Sequence, residues 1–393
     1  MKVRCLTSLL ALSLCCFTAC SNRNSTVTSS GTGVLYLTTQ GNSALEAFSI
    51  NLGSGGLSLS GSAVSTGAFP TAIALSPTLN ALFVANKDSN DISAYTVNSD
   101  GSLTAASGTT KTGTTPMGLA IDPAGNFLFV ANQGSSDISV FSIDGSSLSE
   151  IPGSPFTTIP PGTTLPTDPV GVVVSASGNF LYVTNSLSGT VSAYSIASSG
   201  TLTPLGTSPY LAGTAPSGLA LTPGGAFLYV ANTGSNTVSA FSICDKVVTS
   251  CADPNNPDGK LTVIPGPAAQ QAFSAGQGPV AVAADPSFNF LYVLDKGSNQ
   301  ISAFAFGSGT GVLTALAAPT VSTGTTPVSF VIVSGATGSN QGNTVTNPTD
   351  YVYVANNGSS TLSVFTLNTS SGILTPLGQS ITTATNPSAV AAD

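Results

Sequence analysis

The most regular feature of the chain is a short apolar block that keeps returning. Its clearest copy is Phe180-Leu181-Tyr182-Val183-Thr184-Asn185, followed after a polar turn by Thr190-Val191-Ser192-Ala193-Tyr194-Ser195-Ile196. Runs this short, rich in β-branched and aromatic residues and bounded by Gly, Asn and Ser, predict two strands joined by a tight turn. The first run recurs at Ala81 to Asn86, Phe127 to Asn132, Phe227 to Asn232, Phe290 to Asp295 and Tyr351 to Asn356, with a weaker first copy ending at Thr39. The end points of the seven copies are 47, 46, 53, 47, 63 and 61 residues apart. A period near this length with several strands in it predicts propeller blades, because one such sheet cannot cover both of its own faces.

Two aromatic positions hold in every copy. Three residues before the end point stand Tyr36, Phe83, Phe129, Tyr182, Tyr229, Tyr292 and Tyr353; nine residues after it stand Phe48, Tyr95, Phe141, Tyr194, Phe241, Phe304 and Phe365. Rings at fixed places on period-2 strands fill the space between stacked sheets. A serine follows the end point by seven residues in six copies, and Glu46 replaces it in the first. A proline opens a further strand 16 residues before five of the end points (Pro70, Pro116, Pro169, Pro216 and Pro279), while Pro327 lies 29 before, which exposes an insertion. Four strands per unit are then readable, for example Gly218 to Thr222 (A), Phe227 to Ala231 (B), Thr237 to Ile243 (C) and a short D strand such as Leu202 to Leu205. Turns rich in Gly, Asn, Asp and Pro separate them.

The two ends of the repeat region are complementary. It enters at Val34 with a B strand and no A strand, and Pro387 to Asp393 reads as an A strand with nothing after it. The expectation is an all-β, seven-bladed β-propeller over residues 34–393, with four-stranded antiparallel blades. Its ring is closed by the C-terminal strand A joining the N-terminal strands B, C and D, which leaves no open sheet edge at the seam.

Ahead of the repeats, Lys2 and Arg4 precede an uncharged stretch from Cys5 to Phe17, the layout of a secretion signal too short to span a bilayer. It ends in Phe17-Thr18-Ala19-Cys20, which resembles the lipobox of bacterial lipoproteins. Residues 1–19 are thus expected to be a cleaved lipoprotein signal, Cys20 the lipidated residue, and 20–33 a flexible tether rich in Ser and Thr. The alternative is an ordinary cleaved signal with incidental cysteines. The first reading implies an exported, membrane-anchored lipoprotein, periplasmic or at the cell surface, with the membrane as one partner.

Loss of that leader removes two of the eight basic residues and moves the formal charge from −8 to −10, which argues against nucleic acid as a partner. Charged residues make up 6% of the chain against 41% apolar ones, too hydrophobic for a disordered polymer. After Cys20 only Cys244 and Cys251 remain. A local disulfide is expected in an oxidising compartment, with two free thiols as the alternative. The chain has no His and no second Cys pair, so neither a metal nor another cofactor is expected. Nothing in the pattern calls for more than a monomer.

Tyr182-Val183-Thr184-Asn185 spells the signature of the YVTN repeats. The wider text, Pro-x-Gly-Leu-Ala, then Phe-Leu-Tyr-Val-Ala-Asn, then Val-Ser-Ala-Phe-Ser-Ile, resembles the lactonase-like seven-bladed propellers related to 6-phosphogluconolactonase. The resemblance spans residues 34–393 and implies the fold together with a lactonase-type activity.

Ligands of propellers gather at the channel mouth built by D–A and B–C loops. Ionisable residues expected there are few: Asp137, with Lys87, Asp88, Asp91 and Lys111 as binding candidates, and Asp168, Asp295 and Lys296 as catalytic ones. Asp295 replaces the repeated Asn and is followed at once by a cation; equally, it could cap the same turn as Asn does. Opening a lactone needs a base for water and a partner for the oxyanion. With no His and only five lysines in the repeat region, a phosphorylated sugar is poorly served. The leading expectation is therefore a cell-envelope binding or interaction scaffold for a protein or small-molecule ligand. The alternative is a lactonase-like hydrolase acting on a small sugar lactone at the channel mouth. The insertions Cys244 to Gly259 and Ser334 to Asp350 would lie on the opposite face.

Overall fold

The computed structural model describes residues 32–206, 208–247, 258–267, 272–286, 289–335 and 349–393. Cys20, Cys251 and most of the two insertions lie outside them. Seven antiparallel sheets stand in a ring, each with the A-B-C-D strand order expected from the repeat. In blade five the strands are Pro216–Leu221, Phe227–Asn232, Thr237–Ile243 and Leu261–Ile264.

Each B strand is buried on both sides, as in Ala81–Asn86 of blade two and Phe180–Asn185 of blade four. Alternating side chains therefore feed two different cores. Leu82 and Val84 pack toward blade one, and Phe83 and Ala85 toward blade three. The apolar clusters between blades join one to two, two to three, three to four, four through six, six to seven and seven to one, so the core is a closed ring. At about 25 cal/mol per Å² of apolar surface, this stacking is the main stabilising term for sheets that bury little alone.

Both aromatic positions lie between blades. The first also carries a polar latch: the hydroxyls of Tyr36, Tyr182, Tyr229, Tyr292 and Tyr353 donate to the carbonyls of Gly101, Gly259, Gly311, Gly372 and Gly55 at 2.8–3.0 Å. Each acceptor is a positive-φ glycine in the C–D turn of the following blade. From the second position, Tyr95 and Tyr194 donate to Ser65 and Thr157 of the preceding blade.

Closure occurs where the ends of the repeat region predict it. Pro387–Ala392 pairs with Thr32–Thr39, Leu35 opposite Ala392 and Leu37 opposite Val390, and the Asp393 N–H donates to the Val34 carbonyl at 2.9 Å. Strand D differs from the short expected strand. It is one long strand with a register shift in blades two, six and seven, such as Leu103–Lys111, and two short pieces in the others, such as Leu202–Pro204 and Tyr210–Leu211. This outermost strand has much exposed surface, so its sequence lacks the apolar alternation that marks strands B and C. Cys244 is disulfide-bonded.

Candidate active site at the channel mouth

Strand A is innermost, and each packs on strand A of both neighbours. They approach closely at Gly118, Gly171 and Gly218, where an added Cβ would lie 2.3, 2.5 and 2.6 Å from the carbonyl oxygens of Val170, Ser217 and Val280. The residue after the opening proline is partly exposed in six blades (Thr71, Met117, Val170, Ser217, Val280 and Val328), and the next is buried wherever strand A is described. The A strands thus close tightly on one another around the axis, and the mouth above them is a cup whose rim holds the exposed ionisable candidates.

That rim is built the same way seven times. The residue before each strand-A proline (Phe69, Thr115, Asp168, Ala215, Gly278, Thr326 and Asn386) has φ between 50° and 58°. The left-handed region costs a non-glycine residue about 1–2 kcal/mol, so something must hold it there. The carbonyl of each accepts the N–H of the residue just after the repeat end point: Gln40, Lys87, Gln133, Ser186, Thr233, Lys296 and Asn357, at 2.8–3.0 Å. A second backbone bond, of 2.8–3.1 Å, joins the flanking residues in every blade. Several side chains of this second ring lean toward the axis. Gln40 donates to the Pro70 carbonyl at 3.3 Å, Thr233 to Pro279 at 2.6 Å, and Asn357 to Pro387 at 3.0 Å.

Behind the rim lies a buried polar layer. In blades two to five and seven the Asn amide donates to the residues five and seven positions later, as Asn86 does to Asp91 and Ser93 at 3.0 Å each. Blade six runs the same bonds in reverse. Asp295, 0% exposed, accepts from the Ser302 hydroxyl at 2.6 Å and from the Gln300 amide, with its Oδ1 buried and unpartnered. Burial pushes its pKa up to about 6, against the lowering effect of those donors. Gln300 is the amide that a carboxylate at this position needs, where other blades have Asp or Thr. Asp295 thus replaces a repeated Asn within the packed layer and does not reach the cup, while its neighbour Lys296 is exposed on the rim.

The remaining sequence candidates separate. Asp168 is on the rim, partly exposed, at φ 55°. Lys87 is also on the rim, with its Nζ over the Phe69 ring, 5.4 Å from the centroid. Asp88 is exposed one residue further on. Lys111 and Asp91 leave the group: Lys111 is on the outermost strand, opposite Asp91, and the two form a 3.2 Å ion pair. Burial raises the Asp91 pKa, but bonds from Ser89, Asn86, Thr109 and Lys111 together outweigh it and hold the carboxyl below its usual value. That pair braces a blade.

Sequence reasoning missed Phe69, Gln40, Asn357 and Asn386, all findable by aligning the repeats on the residue before the proline and the residue after the end point. Glu46, which replaces the repeated serine in the first copy, is also informative. Glu46 is half-buried and accepts from the Ala384 backbone, and its pKa is raised by burial against that bond; Oε2 is buried without a partner. A groove of about 520 Å³ runs from the rim residues Thr214 and Ala215 past Leu187, Leu211, Ser235 and Val263; it has no ionisable side chain and so no acid–base chemistry to offer. Among the described residues no cluster of three or more potential metal ligands occurs.

The sequence matches the family described as lactonase, seven-bladed beta-propeller, in segments 17–113, 71–150, 152–251 and 244–392. No curated protein matches it by sequence. Among solved structures, a proposed 6-phosphogluconolactonase from Bacteroides uniformis superposes with a TM-score of 0.73 at 20% identity, over 92% of this chain and 99% of that one. A periplasmic gluconolactonase from Pseudomonas aeruginosa gives 0.70 at 21% identity, over 92% and 98%. At such identities the likeness concerns the fold.

Proposed function

The chain belongs to the seven-bladed β-propeller lactonase family, and from that premise we propose that it is a lactonase-like hydrolase opening a small, unphosphorylated sugar lactone at the rim of the channel mouth. The family match through all seven blades carries this reading. It favours the hydrolase over the scaffold that the scarcity of ionisable residues suggests, because a few groups suffice if they share one rim. The periplasmic gluconolactonase among the structural neighbours has a substrate of the same class.

In this proposal water adds to the lactone carbonyl carbon and gives its proton to the Asp168 carboxylate. The Lys296 ammonium faces the oxygen on which negative charge develops. The ring C–O bond then breaks, and the proton on Asp168 passes to the departing alkoxide, leaving the open hydroxy acid. Two isolated cations on the rim suit a neutral ring better than a phosphate ester, which calls for Arg or clustered Lys.

The test is proton release in a pH-stat by the purified full chain with glucono-1,5-lactone. Hydrolysis above the spontaneous rate is expected, with kcat/KM falling about 100-fold in Asp168→Asn and about tenfold or more in Lys296→Ala. A rate equal to the spontaneous one, or an activity unchanged in both variants, would contradict the proposal.

A further inference from the structure

On the rim across the seam from blade seven to blade two, amides and an aromatic ring stand together beside Lys87. Asn386 donates to the Asn357 backbone carbonyl at 3.3 Å and to its Oδ1 at 3.4 Å. Asn357 donates to Gln40 Oε1 at 3.4 Å, and Gln40 to the Pro70 carbonyl at 3.3 Å. Phe69 directly precedes Pro70, and Lys87 lies over its ring.

Three features set this stretch apart. Phe69 is the only large apolar residue among the seven that precede the prolines, and it holds φ 58° while 37% exposed. A bulky residue strained into the left-handed region, with over a third of its surface in water, is poorly explained by packing. The bonds that Asn386 and Gln40 donate, at 3.3–3.4 Å, are at the long end, so these two amides can turn to a ligand at little cost, while Asn357 is anchored to the Pro387 carbonyl at 3.0 Å. Each amide oxygen has two lone pairs, more than these bonds use.

We infer that Asn386, Asn357, Gln40, Lys87 and Phe69 form a subsite for the hydroxylated ring or chain of a neutral sugar derivative. The C–H face of a sugar is apolar and weakly positive and suits the electron-rich face of Phe69. Its hydroxyls, each donor and acceptor at once, suit amides that are both, and Lys87, whose Nζ lies over one face of the Phe69 ring, supplies a further donor beside the other face's ligand. Such a site discriminates by leaving its polar groups unmatched when the hydroxyls are missing. The inference rests on the proposal above that the mouth is the ligand-binding end, but not on hydrolysis occurring there.

The test compares glucono-1,5-lactone with δ-valerolactone, the same ring without hydroxyls, and measures binding of D-gluconate calorimetrically to the full chain. Phe69→Ala, and Gln40→Ala combined with Asn357→Ala, are expected to raise KM for gluconolactone and Kd for gluconate about tenfold. In the Gln40→Ala, Asn357→Ala variant KM for valerolactone should move less than about twofold, because that lactone has no hydroxyls for the amides. Phe69→Tyr keeps the ring and should behave as the parent, which separates loss of the platform from loss of folding. Equal effects of the amide variant on both lactones, or no effect of any variant on gluconolactone or gluconate, would overturn the subsite. If gluconolactone is hydrolysed with an unchanged KM in Phe69→Ala, the subsite fails and the hydrolase stands. If nothing is hydrolysed but gluconate binding depends on Phe69, the hydrolase fails and the subsite stands.

Discussion

Asp295 and Gln300 show how one substitution within a repeat is absorbed by another. Asn at the end of strand B donates to an Asp or Thr five residues on; Asp at the same place accepts, and a Gln stands where the acceptor was. The exchange keeps the bonds but buries a carboxyl whose pKa is up to about 6, against an ordinary 3.8. The folded chain therefore holds that proton more tightly than the unfolded one. This contribution to stability is full below 3.8, declines as pH rises through about 6, and is absent above. Asp295→Asn with Gln300→Thr, which restores the pattern of blade five, is expected to stabilise the chain at pH 8 by on the order of 1–3 kcal/mol. It should also flatten the decline in stability between pH 4 and 6, as read by urea unfolding. A double variant less stable than the parent at pH 8 would show that Asp295 has a stabilising partner beyond this layer.

At the scale of the element, strands B and C were legible because both faces of each are buried and the aromatic spacing repeats without slippage. Strand D was underestimated because Leu103–Lys111 and its counterparts alternate weakly at the exposed edge of each blade. The rim was hidden for a different reason. Its residues are set by backbone bonds and left-handed φ, which tolerate Phe, Thr, Asp, Ala, Gly and Asn alike, so no residue type marks the position. Charge directed attention to Lys111, which an ion pair on an outer strand accounts for, and away from Phe69, Gln40 and Asn357, which carry none. The most consequential element is Pro387–Ala392. Its removal would bare the edge of Thr32–Thr39 and open two inter-blade cores, at Val390 on one side and Ala389 and Ala391 on the other. A chain ending at Asn386 is expected to lose its single sharp thermal transition and to aggregate through the exposed edge. Retention of the sharp melt without aggregation would contradict closure by this strand.

For the whole molecule, the ring of stacked sheets has a functional consequence. Seven equivalent loops are drawn to one rim, where each blade presents its own side chain. On that rim the structure sets Asp168 and Lys296 on blades four and six, and the amides, Phe69 and Lys87 across blades seven, one and two. The groove near Leu187 and Leu211 starts at the rim residue Ala215 and has no ionisable group. The most direct test is a crystal of the full chain soaked with D-gluconate. The account predicts density over the cup, touching residues of the rim between Phe69 and Lys296. Density in the groove by Leu211 with the cup empty would contradict it.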